Sequence, residues 1–415
     1  MKGNKMSKPT MTFQDFLSKT IDLCKSKYIA IPEGEKERYG KHFEALRSII
    51  FGILTAKNAQ LNSLIVEYSL EGSTGDNLKV AKPNEFDLVF KLQIPYYESI
   101  IVTRDSNFPG NVFLDMTRVL ELLKQDPRED YQGILKLLQL QLVNAQNFLV
   151  VDKLRSWLQS LFSQALNRIN NHVEVDGIVS ALKYKTCGPA HTIFVYGELE
   201  YSVDFVPAIR LGAEQNVLLA DQLKYFRRAN LFYWEAIPKL LKVQTQTSSI
   251  SFRSSFYPAE WAMLEGTHEN CRDAIKLMKK FRDVKTNLGN LKSYYIKTLF
   301  LWKISNEPES YWENPLTVIL TEMFEDLAER LRLGVLPFFW DPELNMFHVL
   351  TPDQVKEMYK CVRGIPSALR EAGVQKKHYS RHVVHRVFCH KEERDLQWCS
   401  KRISKQKRNG VKRLK

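Results

Sequence analysis

Early in this 415-residue chain a Gly72-Ser73 pair is followed, after eleven intervening residues, by Glu85-Phe86-Asp87; a single Asp204 comes much later, within Tyr201-Ser202-Val203-Asp204-Phe205-Val206-Pro207. An extended strand alternates its faces, so Glu85 and Asp87 point the same way about 7 Å apart while Phe86 and Leu88 pack on the other side. Two carboxylates that close repel each other unless a cation lies between them, and hard divalent ions with oxygen ligands, Mg²⁺ foremost, suit such a site. On its own strand Asp204 faces away from Val203 and Phe205, together with Ser202. Three strand-borne carboxylates can hold two metal ions, one activating an attacking hydroxyl and both stabilising charge at an in-line phosphoryl displacement. Gly72 lets backbone approach a phosphate, and Ser73 offers it an N–H and a hydroxyl. Taken singly, a Glu-x-Asp pair on a strand is usually a solvated face and a Gly-Ser pair usually a turn. Their order along the chain is what points to nucleotide chemistry.

The elements that must carry these residues follow from periodicity. Residues 1–38 read as a leader with a short helix around Phe13–Lys27. From Tyr39 to Tyr68 apolar residues recur at helical spacing (Phe43, Leu46, Ile50, Ile53, Leu54), which predicts one long amphipathic helix. It ends at the loop Glu71-Gly72-Ser73-Thr74-Gly75-Asp76. Strands are predicted at Leu78–Ala81, Glu85–Leu92 and Ile100–Arg104, helices across 112–168, and two further strands at His191–Tyr196 and Leu199–Val206. Beyond Pro207 helical patterns dominate at 258–285, 288–303, 314–334 and 352–371. The expected class is α+β. A mixed-sheet core braced by the long helix spans 39–210, a helical lobe 211–370, and a basic, flexible tail 371–415.

Composition sets limits. A hydrophobic fraction of 44% excludes a disordered chain. No apolar run reaches the ~18 residues of a membrane span. The basic N-terminus, MKGNKMSKPTMTFQDF, lacks the apolar stretch of a secretory signal, so the expected compartment is the cytoplasm. Six scattered cysteines (Cys24, Cys187, Cys271, Cys361, Cys389, Cys399) read as free thiols rather than a disulfide scaffold. Residues 376–415 hold 14 Lys/Arg against 3 Asp/Glu, which is +11 of the formal +13. Such a tail attracts polyanions of any kind and reads equally as a nuclear-import or solubilising segment, or as a nucleic-acid contact.

The succession of phosphate turn, paired carboxylates and a later lone aspartate resembles the polymerase-beta-like nucleotidyltransferases. More closely, Glu71-Gly72-Ser73 with Lys79-Val80-Ala81-Lys82-Pro83-Asn84-Glu85-Phe86-Asp87-Leu88-Val89-Phe90-Lys91-Leu92 resembles the signature stretch of cyclic GMP–AMP synthase and its animal relatives, the zinc-ribbon-less insect receptors included. Val203-Asp204-Phe205-Val206-Pro207 is similar to that family's third-aspartate strand. The segment from Cys271 to Met278-Lys279, and Lys292-Ser293-Tyr294-Tyr295-Ile296-Lys297-Thr298, resemble its helical lobe. The likeness implies a polymerase-beta-like core with a C-terminal helical lobe, ATP and GTP as substrates, and two Mg²⁺ (or Mn²⁺) ions on Glu85, Asp87 and Asp204, with Asp204 also accepting the proton of the attacking ribose hydroxyl. By the same resemblance Gly72 and Ser73 hold the triphosphate, Lys279 meets phosphate as a point charge, Ser293 hydrogen-bonds it and Tyr294 stacks on a base. Arg253 and Ser255 contact the acceptor base. For Tyr294, a core aromatic beside Tyr295 is the competing reading.

The resemblance breaks at one place. Vertebrate cyclic GMP–AMP synthase carries a zinc ribbon of one His and three Cys before the Lys-Leu-Met-Lys helix. Here the region reads Glu265-Gly266-Thr267-His268-Glu269-Asn270-Cys271-Arg272, and one His with one Cys cannot build a four-ligand zinc site. No zinc is therefore expected, and double-stranded RNA, read by shape, phosphates and 2′-hydroxyls, is the expected activating ligand ahead of DNA. A basic face is expected from Arg272, Lys276, Lys279, Lys280, Arg282, Lys285, Lys292 and Lys297, a ligand-induced dimer is compatible with it, and no membrane partner is implied. A second group, His378, His382, His385, Cys389, His390 and Cys399, has zinc-ligand types without a zinc spacing, and polar residues of a terminal helix are the simpler reading. The leading expectation is an RNA-activated enzyme that makes a cyclic dinucleotide in innate antiviral signalling. Two alternatives stand beside it: a catalytically silent scaffold, and a constitutive enzyme extending RNA ends with the same three acids.

Overall fold

An amphipathic helix, Glu33–Lys57, buries His42, Phe43, Leu46, Ile50, Phe51 and Leu54 along one stripe. That stripe lies on a sheet: Phe43 stacks on Phe86 with ring centroids 4.4 Å apart, and Phe51 meets Phe90 and Phe205 edge-on. The computed structural model describes residues 12–80, 82–217, 220–241, 245–375, 377–390 and 393. The helix is shorter than its apolar period predicts. At Asn58 the backbone turns extended, and the side chain accepts the Leu61 N–H to start a separate helix, Ala59–Leu64. Ile65–Glu71, rich in β-formers, then becomes a strand.

Among the described residues ten strands form the sheet: β1 Ile65–Glu71, β2 Glu85–Leu92, β3 Ile101–Arg104, β4 Asn111–Asp115, β5 His172–Val175, β6 Ile178–Cys187, β7 Ala190–Tyr196, β8 Tyr201–Gly212, β9 Tyr233–Ile237 and β10 Ser251–Ser255. Their order is β3-β4-β10-β9-β8-β7-β6-β5, with β2 joined to β8 and β1 to β2. The central strand is β8, which runs parallel to β2 along its whole length and antiparallel to β7 and then β9. No strand forms at 78–80, where the Leu78 N–H is taken by the Ser73 carbonyl instead of a ladder partner; Ala81 lies outside the described residues. β4, β5 and β6 escaped the sequence reading, as did β9 and β10.

The chain divides into two compact units: Ile31–Gly266 with Pro337–Asn345, and the described parts of Met1–Ala30, Thr267–Leu336 and Met346–Lys415. The sheet unit thus runs to Gly266, beyond the boundary expected near 210, because β9 pairs with β8 and β10 with β9 and β4. The second unit is helical: Phe13–Tyr28, Glu269–Val284, Ser293–Asn306, Leu316–Leu333, Pro352–Val362, Ile365–Val374 and Lys377–Phe388. Its N-terminal helix is not a detached leader. Thr12 and Asp15 close a capping box at its start, and Leu17, Ile21 and Cys24 are buried.

Nor is the whole of 371–415 a tail. Lys377–Phe388 is a helix whose Val383, Val384, Val387 and Phe388, with the following Cys389, are buried in the helical unit; Cys399 and the last basic residues lie outside the described residues. Among the described residues no helix is long and apolar enough to cross a membrane.

Candidate active site

The parallel register of β2 and β8 sets Asp87 opposite Asp204 and Glu85 opposite Ser202. Residues opposed in a ladder share a face, so the three acids stand together, and one carboxylate oxygen of each lies within 4.8 Å of the others. Among the described residues these are the three that meet as a metal-binding cluster of His, Cys, Asp or Glu. The opposite face carries Phe86, Leu88, Phe90, Val203 and Phe205, all buried. The core therefore fixes which way the acids point.

Each acid has a distinct setting. Asp204 is half-buried, and the Thr192 hydroxyl of β7 donates to its Oδ1 at 2.6 Å. Burial pushes its carboxyl above the ordinary value; the Thr192 bond opposes the rise and the charge of Glu85 adds to it. Glu85 is exposed at the start of β2, where Lys79 Nζ lies 2.9 Å from its Oε2 and the Thr74 hydroxyl donates to its main-chain oxygen at 3.1 Å. Asp87 lies against Gly72. Gly72 is left-handed (φ 59°), and a Cβ there would sit 2.9 Å from Asp87 Cγ. Glycine is required for conformation and for clearance alike.

The Gly-Ser turn is a single helical turn, Gly72–Gly75, closed by Asp76 N–H to the Gly72 carbonyl at 3.1 Å. Ser73 is half-exposed on it. Converging carboxylates, one of them with its ionisation already disfavoured, fit a hard divalent cation with oxygen ligands. The turn leaves backbone beside them without a side chain in the way.

Arg253 and Ser255 reach the same sheet face by register: Asp204 shares a face with Arg210 on β8, Arg210 opposes Glu235 on β9, and Glu235 opposes Ser255 on β10. Across this ladder the buried Lys91 lies 3.5 Å from the buried Glu235, 3.1 Å from the exposed Glu67 and 2.8 Å from the Tyr233 hydroxyl. Burial holds the Glu235 carboxyl above its ordinary value against the pull of Lys91.

Lys279, Ser293 and Tyr294 belong to the helical unit. Lys279 is buried on Glu269–Val284, and Ser293 begins the helix Ser293–Asn306, where its hydroxyl accepts from Arg282. The choice between the two tyrosines is clear-cut. Tyr295 is the core residue, 4% exposed against Phe347, while Tyr294 is 36% exposed.

The expected basic face is reduced. Lys280 is buried and pairs with Glu393 at 2.7 Å, and Lys279 and Lys297 are buried too. Lys292 is exposed, and Arg272, Lys276, Arg282 and Lys285 are half-buried. His268 caps its helix by accepting the Asn270 N–H, and the Cys271 thiol is buried and pushed up to about 12. Of the terminal Cys/His group, His378, His382 and His385 lie on Lys377–Phe388, with Cys389 and His390 just beyond it. Sequence reasoning missed Lys79, Thr74 and Thr192.

A mixed sheet with three acids on neighbouring strands, followed by a helical unit, defines a nucleotidyltransferase, and comparison agrees. The family described as Mab-21 protein nucleotidyltransferase domain matches residues 74–266, and the Mab-21 protein HhH/H2TH-like domain matches 270–364. The chain is 64% identical over 411 residues to cyclic GMP-AMP synthase-like receptor 2 of Drosophila melanogaster, covering 98% of this chain and 88% of that one. It is 43% identical to receptor 1 of Drosophila erecta (88% of this chain, 82% of the relative) and 41% identical to the receptor of Lucilia cuprina (86% and 93%). This chain belongs to the cyclic GMP–AMP synthase-like receptor family of insects.

Proposed function

We propose that this nucleotidyltransferase joins ATP and GTP into a cyclic dinucleotide when double-stranded RNA binds it, as a step of innate antiviral signalling in the cytoplasm. The observation that carries the reading is the meeting of Glu85, Asp87 and Asp204 on β2 and β8 beside a left-handed Gly72, in a chain whose relatives are named for cyclic GMP-AMP synthase. Two Mg²⁺ or Mn²⁺ ions on these acids would supply charge stabilisation at the transferred phosphoryl group. Asp204, oriented by Thr192, takes the proton of the attacking ribose hydroxyl. Gly72 and Ser73 hold the triphosphate through backbone N–H groups and the Ser73 hydroxyl. Lys279 and Ser293 meet phosphate, Tyr294 stacks on a base, and Arg253 with Ser255 faces the acceptor base. The exposure of Tyr294 supports its role, since stacking needs a ring free of the core. RNA rather than DNA is favoured by the single His268 and Cys271 where a zinc ribbon would need four ligands.

The test is purified chain with labelled ATP and GTP, Mg²⁺ or Mn²⁺, and duplex RNA or duplex DNA at matched phosphate concentration, with products resolved by chromatography. A cyclic dinucleotide formed with RNA, little with DNA, and none from Glu85→Ala/Asp87→Ala at native melting temperature is the expected result. Equal stimulation by DNA overturns the ligand assignment. Ligand-independent elongation of RNA ends, or full activity in the double variant, overturns the reaction.

A further inference from the structure

The turn before β2 places a cation on one of the acids. Lys79 Nζ lies 2.9 Å from Glu85 Oε2, and of the two side chains the lysine is the more enclosed, 15% exposed against 51% for the carboxylate. A lysine so enclosed has lost most of its rotamer freedom, so its ammonium is presented at a fixed place. Two bonds hold the segment there: Leu78 N–H to the Ser73 carbonyl at 2.8 Å, and the Thr74 hydroxyl to the Glu85 carbonyl at 3.1 Å. Lys79 thus occupies one oxygen of a carboxylate that a metal ion would need, and stands one residue from the bond to Ser73.

We propose that Lys79 is a displaceable counter-ion of the metal site, neutralising Glu85 until a divalent cation takes its place and then being released beside the Ser73 turn, where a polyphosphate can engage it. This rests on the metal-dependent reading above and adds a coupling to it. A metal ion that takes Oε2 breaks the Lys79–Glu85 pair, and one on Oε1 shares the carboxylate's charge with the ammonium; either weakens its binding. A triphosphate that accepts the released ammonium returns that cost. Metal and nucleotide therefore favour each other's binding reciprocally.

The pair is partly exposed, and such pairs contribute at most about 1 kcal/mol, so its removal is worth up to about fivefold in metal affinity. Free Mn²⁺ is titrated by electron paramagnetic resonance against the full-length chain, with and without a non-hydrolysable ATP analogue. Lys79→Met should bind Mn²⁺ more tightly than the native chain without nucleotide, by up to about fivefold, and should gain less when nucleotide is added. Lys79→Arg, which keeps the pair, should stay near native. Lys82→Met, which removes an exposed charge from the same segment, should change affinity less than Lys79→Met does. Unchanged affinity in Lys79→Met, or an equal change in Lys82→Met, overturns the proposal while leaving the metal site standing. No Mn²⁺ binding by the native chain overturns the metal-site reading and this one with it.

Discussion

Gly72→Ala tests the site through one methyl group. Two costs follow from the structure. The first is conformational: at φ 59° an L-residue pays about 1–2 kcal/mol relative to glycine, which lowers the melting temperature of a unit this size by a few degrees. The second is local. The new Cβ would sit 2.9 Å from Asp87 Cγ, whereas unstrained carbon pairs stand about 3.5–4.0 Å apart. Either the turn or the carboxylate must give way by about 1 Å.

The turn has little freedom to move. Its Gly72 carbonyl accepts from Asp76 N–H, Ser73 is tied to Leu78, and Thr74 to Glu85. Asp87, a side chain, moves more easily, and a displacement of about 1 Å at a reacting group can cost 10²-fold in rate. The expected result is a loss of about 10²-fold in cyclic-dinucleotide synthesis at saturating RNA, with weakened Mn²⁺ binding and RNA affinity unchanged. Steady-state synthesis and a thermal melt are measured on the same preparation. Activity within twofold of native in a protein melting a few degrees lower would refute the contact, because the backbone penalty would then be present without its effect on Asp87.

Two further outcomes follow from burial. His191 is stacked on Phe162 and pushed down to about 4 because burial, reinforced by Arg155, disfavours its imidazolium; unfolded it titrates near 6.5, so the unfolded chain binds the extra proton between these values and stability falls by up to about 1.4 kcal/mol per unit as pH drops from 6.5 toward 4. Urea denaturation of His191→Phe between pH 7 and 4.5 should show a flatter dependence than the native chain, and parallel curves would contradict it. Deleting residues 376–415 removes Val383, Val384, Val387 and Phe388 from the helical core, each worth about 1.5–3 kcal/mol of burial, and should unfold that unit by circular dichroism. Deleting only 394–415, which takes away 9 Lys/Arg and one Asp, should leave folding intact and lower polyanion affinity.

What could be read without coordinates had short-range causes. The faces of β2 follow from alternation alone, and the strand carrying Asp204 from Val203 and Phe205 on its other side. The Asp176-Gly177 dipeptide carries the same kind of local signal: both residues are left-handed (φ 50° and 78°), the signature of a two-residue turn between β5 and β6. The partners of the acids were not legible. Thr192 meets Asp204 only because β7 and β8 pair in that register, and Lys79 reaches Glu85 through irregular backbone that no periodicity describes. The basic helix misled for another reason. Leu277, Met278, Lys279, Lys280 and Phe281 are consecutive and all buried, since Glu269–Val284 is covered on several sides. A helical period tells one face from another only when one of them meets water. The same ambiguity hid Lys377–Phe388, whose buried valines are interleaved with His and Arg.

These contacts distribute the three acids unequally. Asp204 is held from within the sheet, its partner Thr192 fixed by the β7–β8 ladder. Glu85 and Asp87 are held from outside it, by residues 72–79: Gly72 against Asp87, Thr74 and Lys79 on Glu85. A ladder between central strands opens only with the unit as a whole, whereas residues 72–79 belong to no ladder and are held by a few local bonds, so they move at lower cost than β8, though at more than a lone side chain. Any displacement of the Gly72–Gly75 turn therefore changes the setting of Glu85 and Asp87 ahead of that of Asp204. On the proposed reading, the segment that would meet the nucleotide also sets two of the three acids, so a ligand that moved residues 72–79 would act on both.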